Sequence, residues 1–166
     1  MSEQRKQEIK EKLAGTRLQF RTLLMRLNAE QWEVEVYHGD EPWTVIQLVR
    51  HVVDAERGLM TNVERIRDGG EGVPPDFDRE RWNRSRQKRM AGKGPKDLLA
   101  EMAQNRAALL EIVDTLGDED WEKTGRHASL RIMTIEQFLH QIADHEAGHA
   151  ADIAGAVGLS IASRNE

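Results

Sequence analysis

The chain has 166 residues, 39% apolar and 32% charged, with a formal net charge of −5. That length suits a single domain, residues 1–166, and the acidic balance gives no reason to expect nucleic-acid or membrane binding. The absence of cysteine excludes disulfides, thiolate ligands and cysteine nucleophiles, while the lack of a long apolar run or a signal-like N-terminus makes a cytoplasmic location the expectation.

Four segments carry a helical period, so the expected fold is all-α. The first, about 3–28, aligns Ile9, Leu13, Phe20, Leu23, Leu24 and Leu27 on one stripe. The second, about 44–66, aligns Val45, Leu48, Val49, Val52, Leu59, Val63 and Ile66. A crossover follows, about 67–94, punctuated by Gly69-Gly70, Gly72, Pro74-Pro75, Gly92 and Gly94. At 28 residues it is far longer than a helix hairpin needs and can run the length of a bundle. From Arg79 to Lys96 there are eight basic residues against one acid, Glu80, with Trp82 and Asn83 embedded. The third helix, about 95–116, opens with Pro95 at a favourable first-turn position and aligns Leu98, Met102, Leu109, Ile112, Val113 and Leu116. The fourth, about 134–159, aligns Ile135, Phe138, Leu139, Ile142, Ile153 and Val157. Helices two and four both begin with a capping box, Thr44 with Gln47 and Thr134 with Gln137.

Those two starts belong to an internal repeat. Leu27-x4-Trp32-Glu33-x4-His38 recurs 89 residues later as Leu116-x4-Trp121-Glu122-x4-His127. One inserted residue then brings the Thr/Gln caps, Asp54 with Asp144, and Glu56 with Glu146 into register at an offset of 90. An ordered run of this kind points to a duplicated helix–loop–helix.

The fourth helix carries the chemistry. His145 and His149 lie within about 40° of each other on its apolar stripe. Two imidazoles buried among apolar side chains are costly unless their nitrogens are satisfied, and a divalent cation satisfies them well. A lone histidine in such a place is more often a hydrogen-bonded core residue, but a third candidate ligand exists in His51 of helix two. It lies roughly 10 Å beyond its cap, whereas His145 and His149 lie roughly 16 and 22 Å beyond theirs. In helices about 30 Å long these depths coincide only if helices two and four are antiparallel. Short loops make helices one and two antiparallel, and likewise three and four. Helices two and three are then parallel, joined by the long crossover, in an up-down-down-up four-helix bundle. Three histidines with open positions suit a catalytic site, and imidazole accepts zinc, nickel, copper or iron.

Glu56 and Glu146, at equivalent points of the two halves, are candidates to orient the imidazoles or to act as general base. The alternative is a pair of buried carboxylates tied into an inter-helix hydrogen bond. Asn105 faces inward near them. His140 points off the core face, and His38 and His127 occupy equivalent surface loops. Basic residues beside an aromatic suit a small anionic molecule, which makes Arg81, Trp82, Asn83 and Arg86 the candidate substrate contacts. The same residues would suit the acidic surface of another subunit or a phosphate backbone, although the overall acidity argues against nucleic acid.

Trp43-Thr44-x6-His51 with Glu56, Phe77-Asp78-x4-Asn83, and His145-Glu146-Ala147-Gly148-His149 together resemble the DinB/YfiT-like superfamily, in its DinB-like 2 branch. The resemblance spans nearly the whole chain. It implies an up-down-down-up four-helix bundle, often a homodimer, with His51, His145 and His149 holding nickel or zinc. Some members are S-transferases or isomerases that use bacillithiol, mycothiol or glutathione, and others are called metal-dependent hydrolases. Many members follow the last histidine with Arg-Gly-Gln, where this chain has Ala150-Ala151-Asp152. The expected function is therefore a metal-dependent transferase or hydrolase for a small substrate, with a low-molecular-weight thiol as co-substrate in the transferase case. The rival is a non-catalytic binding or stress-response module whose metal is structural or absent.

Overall fold

A computed structural model describes residues 1–161. Helix α1 (Ser2–Met25) leads through a short 3-10 turn (Gln31–Glu33) into a hairpin of β1 (Glu35–Tyr37) and β2 (Trp43–Thr44), and on to α2 (Val45–Arg67). A further helix, α3 (Arg79–Met90), lies within the crossover. Then α4 (Pro95–Thr115), a second hairpin of β3 (Thr124–Arg126) and β4 (Ile132–Thr134), and α5 (Ile135–Val157) repeat the first half. The molecule is thus mostly helical, with five helices and two small hairpins.

Inter-helix contacts give the directions of the four long helices. Arg5 meets Glu136, Lys12 meets Asp144 and Arg26 meets Ser160, so α1 and α5 run parallel. Arg50 reaches Lys93, Asn105 reaches Val53 and Arg67 reaches Thr115, so α2 and α4 are also parallel. Lys6 binds the Asp114 carbonyl while Arg17 binds that of Met102, which sets α1 antiparallel to α4.

The apolar stripes bury themselves in two clusters. Leu13, Val63, Leu109 and Phe138 belong to one; Phe20, Val49, Met102 and Ile153 belong to the other. Between them each long helix contributes one charged residue: Arg17, Glu56, Arg106 and Glu146. Arg17 donates through Nε to Glu146 Oε1 (2.5 Å) and through Nη2 to Glu56 Oε2 (2.6 Å). Arg106 donates through Nε to Glu56 Oε1 (3.0 Å) and through Nη2 to Glu146 Oε2 (2.9 Å). The spare guanidinium nitrogens reach the carbonyls of Met102 and Leu13. Two cations and two anions close a neutral ring across the core. Such a ring tolerates burial because every charge is paired and hydrogen-bonded.

The hairpins and α3 depart from the sequence expectation, each for a physical reason. Strands of two or three residues are too short to show alternation, and Thr44 and Thr134 end a strand and cap a helix at once. The cap chemistry is as expected: Gln137 N donates to Thr134 Oγ1, and the Gln47 and Gln137 side chains accept from the Thr44 and Thr134 amides. The repeat's two tryptophans, Trp32 and Trp121, are both buried beside these hairpins. Helix α3 buries only Met90, so it has no apolar stripe to read. It is capped by Asp78, which accepts from Arg81 N, and anchored by Gln87, whose Nε2 donates to the Gln47 carbonyl. Ahead of it, Gly72 (φ +84°) bridges to Arg126 so closely that a Cβ would collide with the Arg126 backbone. Only glycine meets both demands there.

Candidate metal centre

His51 on α2 and His145 and His149 on α5 converge. His145 Nε2 lies 3.1 Å from His51 Nε2 and 3.0 Å from His149 Nε2, and the three rings stand at 68°, 87° and 89° to one another. Among the described residues this is the one group of three metal-ligating side chains.

The donor set fits a divalent ion. A neutral imidazole nitrogen carries either one lone pair or one proton, so His145 Nε2 cannot serve two neighbouring nitrogens well by hydrogen bonding alone. Ligand nitrogens about 2.1 Å from a metal, at angles between octahedral and tetrahedral, lie about 3.0–3.4 Å apart. The two separations about His145, 3.1 and 3.0 Å, match that edge length, and all three ligand atoms lie within 4.8 Å of one another. Burial and the neighbouring His149 push the His51 pKa down to about 4; Asp54 opposes the shift and Arg79 adds to it. Burial, then His149, His51 and His127, lower His145 further still, and burial lowers His149 against the pull of Asp152. All three rings are therefore held neutral, the state in which imidazole coordinates.

The remaining expected site residues are placed as follows. All four oxygens of Glu56 and Glu146 are taken by the Arg17 and Arg106 guanidiniums, and Thr16 Oγ1 adds a bond to Glu146 Oε2. This is the inter-helix tie, not a free base. A small void touches Glu56, Arg106, Glu146 and His145, so the ring and the triad are near neighbours. Asn105 donates to the Val53 carbonyl (3.1 Å). Arg86 grips Asp54 with Nε (2.8 Å) and Nη2, and its guanidinium lies 5.6 Å from the Trp82 ring centre. Asn83 is half-buried, whereas Arg81 is exposed on the far side of α3 from Arg86. Trp82 is half-exposed against Phe77. His38 is exposed on Glu35, and His140 meets Lys12. His127 lies in its loop but is half-buried: its ring packs 5.6 Å from that of Phe138, and burial, Arg79 and Arg131 lower its pKa.

Several contributors escape a sequence reading. Tyr37 of β1 places its hydroxyl 2.9 Å from His149 Nδ1 and donates to Asp152. Burial, then Asp152, raise its pKa, so it stays protonated. Trp43 of β2 packs 5.1 Å from the His51 ring. Arg17 and Arg106 carry a legible signal, since each sits mid-stripe, between Leu13 and Phe20 and between Met102 and Leu109.

Residues 12–153 match the family model for the DinB superfamily. The chain belongs to that superfamily. No curated protein matches it. Among solved structures it is similar to YfiT from Bacillus subtilis, described as a probable metal-dependent hydrolase with an unusual four-helix bundle topology. That pair shares 19% identity at a TM-score of 0.73, over 93% of this chain and 89% of YfiT. It is also similar to a mycothiol-dependent maleylpyruvate isomerase, with 20% identity and a TM-score of 0.72 over 90% of this chain. A histidine-to-alanine mutant of that isomerase gives 17% identity and a TM-score of 0.71, over 87% of this chain and 60% of the mutant. This chain spans 61% of the isomerase's length. At these identities the likeness is one of fold.

Proposed function

We propose that this DinB-superfamily chain is a metal-dependent enzyme, a thiol-dependent S-transferase or a hydrolase, acting on a small anionic substrate. The observation that carries the reading is the convergence of the His51 and His149 Nε2 atoms on His145 Nε2, each at ligand-to-ligand spacing. Zinc or nickel held by His51, His145 and His149 would supply Lewis acidity, making a nucleophile of water or a low-molecular-weight thiol near neutral pH. The thiol option suits a chain without cysteine, and it is supported by the fold shared with a mycothiol-dependent isomerase.

The chain's own residues bind and position. Asn83 and Arg86, on the bundle-facing side of α3, and Trp82 at its edge are proposed to contact substrate, with Arg81 at the outer rim. Glu56 and Glu146 hold the helices that carry the ligands, and the proposal gives them this task in place of proton transfer. A homodimer remains part of the proposal, supported by the exposed Leu18 and Met25, seven residues apart on α1.

Elemental analysis of protein purified without a metal-affinity tag tests the reading. Zinc or nickel should be present in wild type and lost in His51→Ala. Metal content unchanged by His51→Ala would break the ligand assignment. Turnover of thiol-plus-electrophile pairs, set against ester and amide hydrolysis, separates the two subclasses. Full turnover by metal-stripped protein would refute both metal-dependent subclasses, whereas metal-loaded protein with no turnover in either assay would favour a binding module.

A further inference from the structure

The β1–β2 hairpin touches two of the three histidines, Trp43 on His51 and Tyr37 on His149. The contact at His149 is directional. The Tyr37 hydroxyl lies 2.9 Å from His149 Nδ1 and also donates to Asp152 Oδ2. Asp152 itself stands 3.8 Å from that nitrogen, too far for a hydrogen bond. With its proton spent on Asp152, the hydroxyl presents a lone pair to His149, and Nδ1 must then carry the hydrogen. Only one tautomer satisfies both contacts: Nδ1 protonated, with the Nε2 lone pair turned toward His51 and His145.

We infer that Tyr37 and Asp152 are positioning residues for the metal centre, an aspartate–tyrosine–histidine chain that locks His149 in its ligating tautomer and orientation. The inference rests on the three-histidine metal reading above and adds residues that the motif spacing does not contain. Ligating histidines commonly give their second nitrogen to a carboxylate or carbonyl, which fixes the tautomer and raises basicity. Here a tyrosine hydroxyl stands between ring and carboxylate. Asp152, one turn beyond His149, anchors that hydroxyl from α5, while the hairpin delivers it from the other half of the repeat. The chain is electrically complete without proton transfer: the imidazole donates to the phenol and the phenol donates to the carboxylate.

The test uses Zn2+ competed against a chromophoric chelator, with wild type, Tyr37→Phe, Asp152→Asn, the double variant, and His38→Gln as a control on the same hairpin. Tyr37→Phe keeps the ring and should weaken zinc binding about 10- to 100-fold. Asp152→Asn should weaken it less. The double variant should be no weaker than Tyr37→Phe, because Asp152 acts through the hydroxyl. In metal-free protein, imidazole 15N shifts should report the Nδ1–H form of His149 in wild type and lose it in Tyr37→Phe, a change that loss of packing alone would not produce. Wild-type affinity and tautomer in Tyr37→Phe, with zinc still bound, would overturn the inference and leave the three-histidine site standing. Affinity lost in Asp152→Asn but kept in Tyr37→Phe would overturn it in favour of direct Asp152 contact. Failure of wild type to take up zinc or nickel would overturn this and its parent reading together.

Discussion

Adjacent residues of α5, His145 and Glu146, belong to two polar clusters, one half-buried and one buried, built on opposite terms. The ring of Arg17, Glu56, Arg106 and Glu146 is complete: two positive and two negative groups, one from each long helix, with every carboxylate oxygen engaged. The triad of His51, His145 and His149 is incomplete. Its rings are neutral, and their Nε2 atoms crowd together without enough protons to satisfy all three. A polar cluster that satisfies itself specifies how helices pair. One that leaves converging lone pairs is a site for something from outside. The ring holds the frame within which the triad can stay unsatisfied, and that division of labour separates structure from chemistry within one turn of helix.

The comparison can be broken most forcefully at the ring. Arg106→Met should destabilise the fold by about 3–5 kcal/mol, since it leaves two buried carboxylates sharing one guanidinium. Denaturant unfolding measures this, and replacing all four members by apolar residues of similar volume should recover most of the loss. A single-variant cost below about 1 kcal/mol would mean the ring is not the self-sufficient cluster described.

Acid sharpens the comparison from the triad's side. A histidine whose folded pKa is depressed binds protons more readily when unfolded, so its contribution is full above pH 6.5 and is lost as pH falls toward the folded value. For His51, held down to about 4, the metal-free protein should lose about 2 kcal/mol between neutral pH and pH 5. His51→Ala should remove that part of the pH dependence, which unfolding midpoints at pH 7, 6 and 5 will show. Parallel pH profiles for the two proteins would contradict the buried-neutral state assigned to this ring.

The smallest effect concerns α3. Arg86→Ala, which strands the buried Asp54, should cost about 1.5 kcal/mol and speed amide exchange along α3. Arg81→Ala, on the exposed side, should change stability by less than about 0.5 kcal/mol. Equal costs would mean that α3 is not anchored through Asp54.

Much of this was legible along the chain. Leu13, Phe20 and Leu24 on α1, or Ile135, Phe138 and Ile142 on α5, mark helical faces because a 3.6-residue period must bury one side. The i, i+4 spacing of His145 and His149 is local geometry, and the depth of His51 followed from rise per residue. The hairpins and α3 were not legible. Strands of two or three residues carry no period, and a helix held by Asp54, Gln47 and one buried methionine has no stripe. Arg17 and Arg106 were visible as charges on apolar faces, yet their partners were not.

What the amino-acid order determined unaided is whatever acts over a few residues: helical faces, the Thr/Gln caps, the long crossover, and the histidine pair one turn apart. What only the tertiary structure decided is which distant groups satisfy one another. Arg17 finds Glu146 across 129 residues, and Tyr37 finds His149 across 112. Backbone periodicity fades long before such separations, and a hydrogen bond forms only where folding has brought donor and acceptor within about 3 Å.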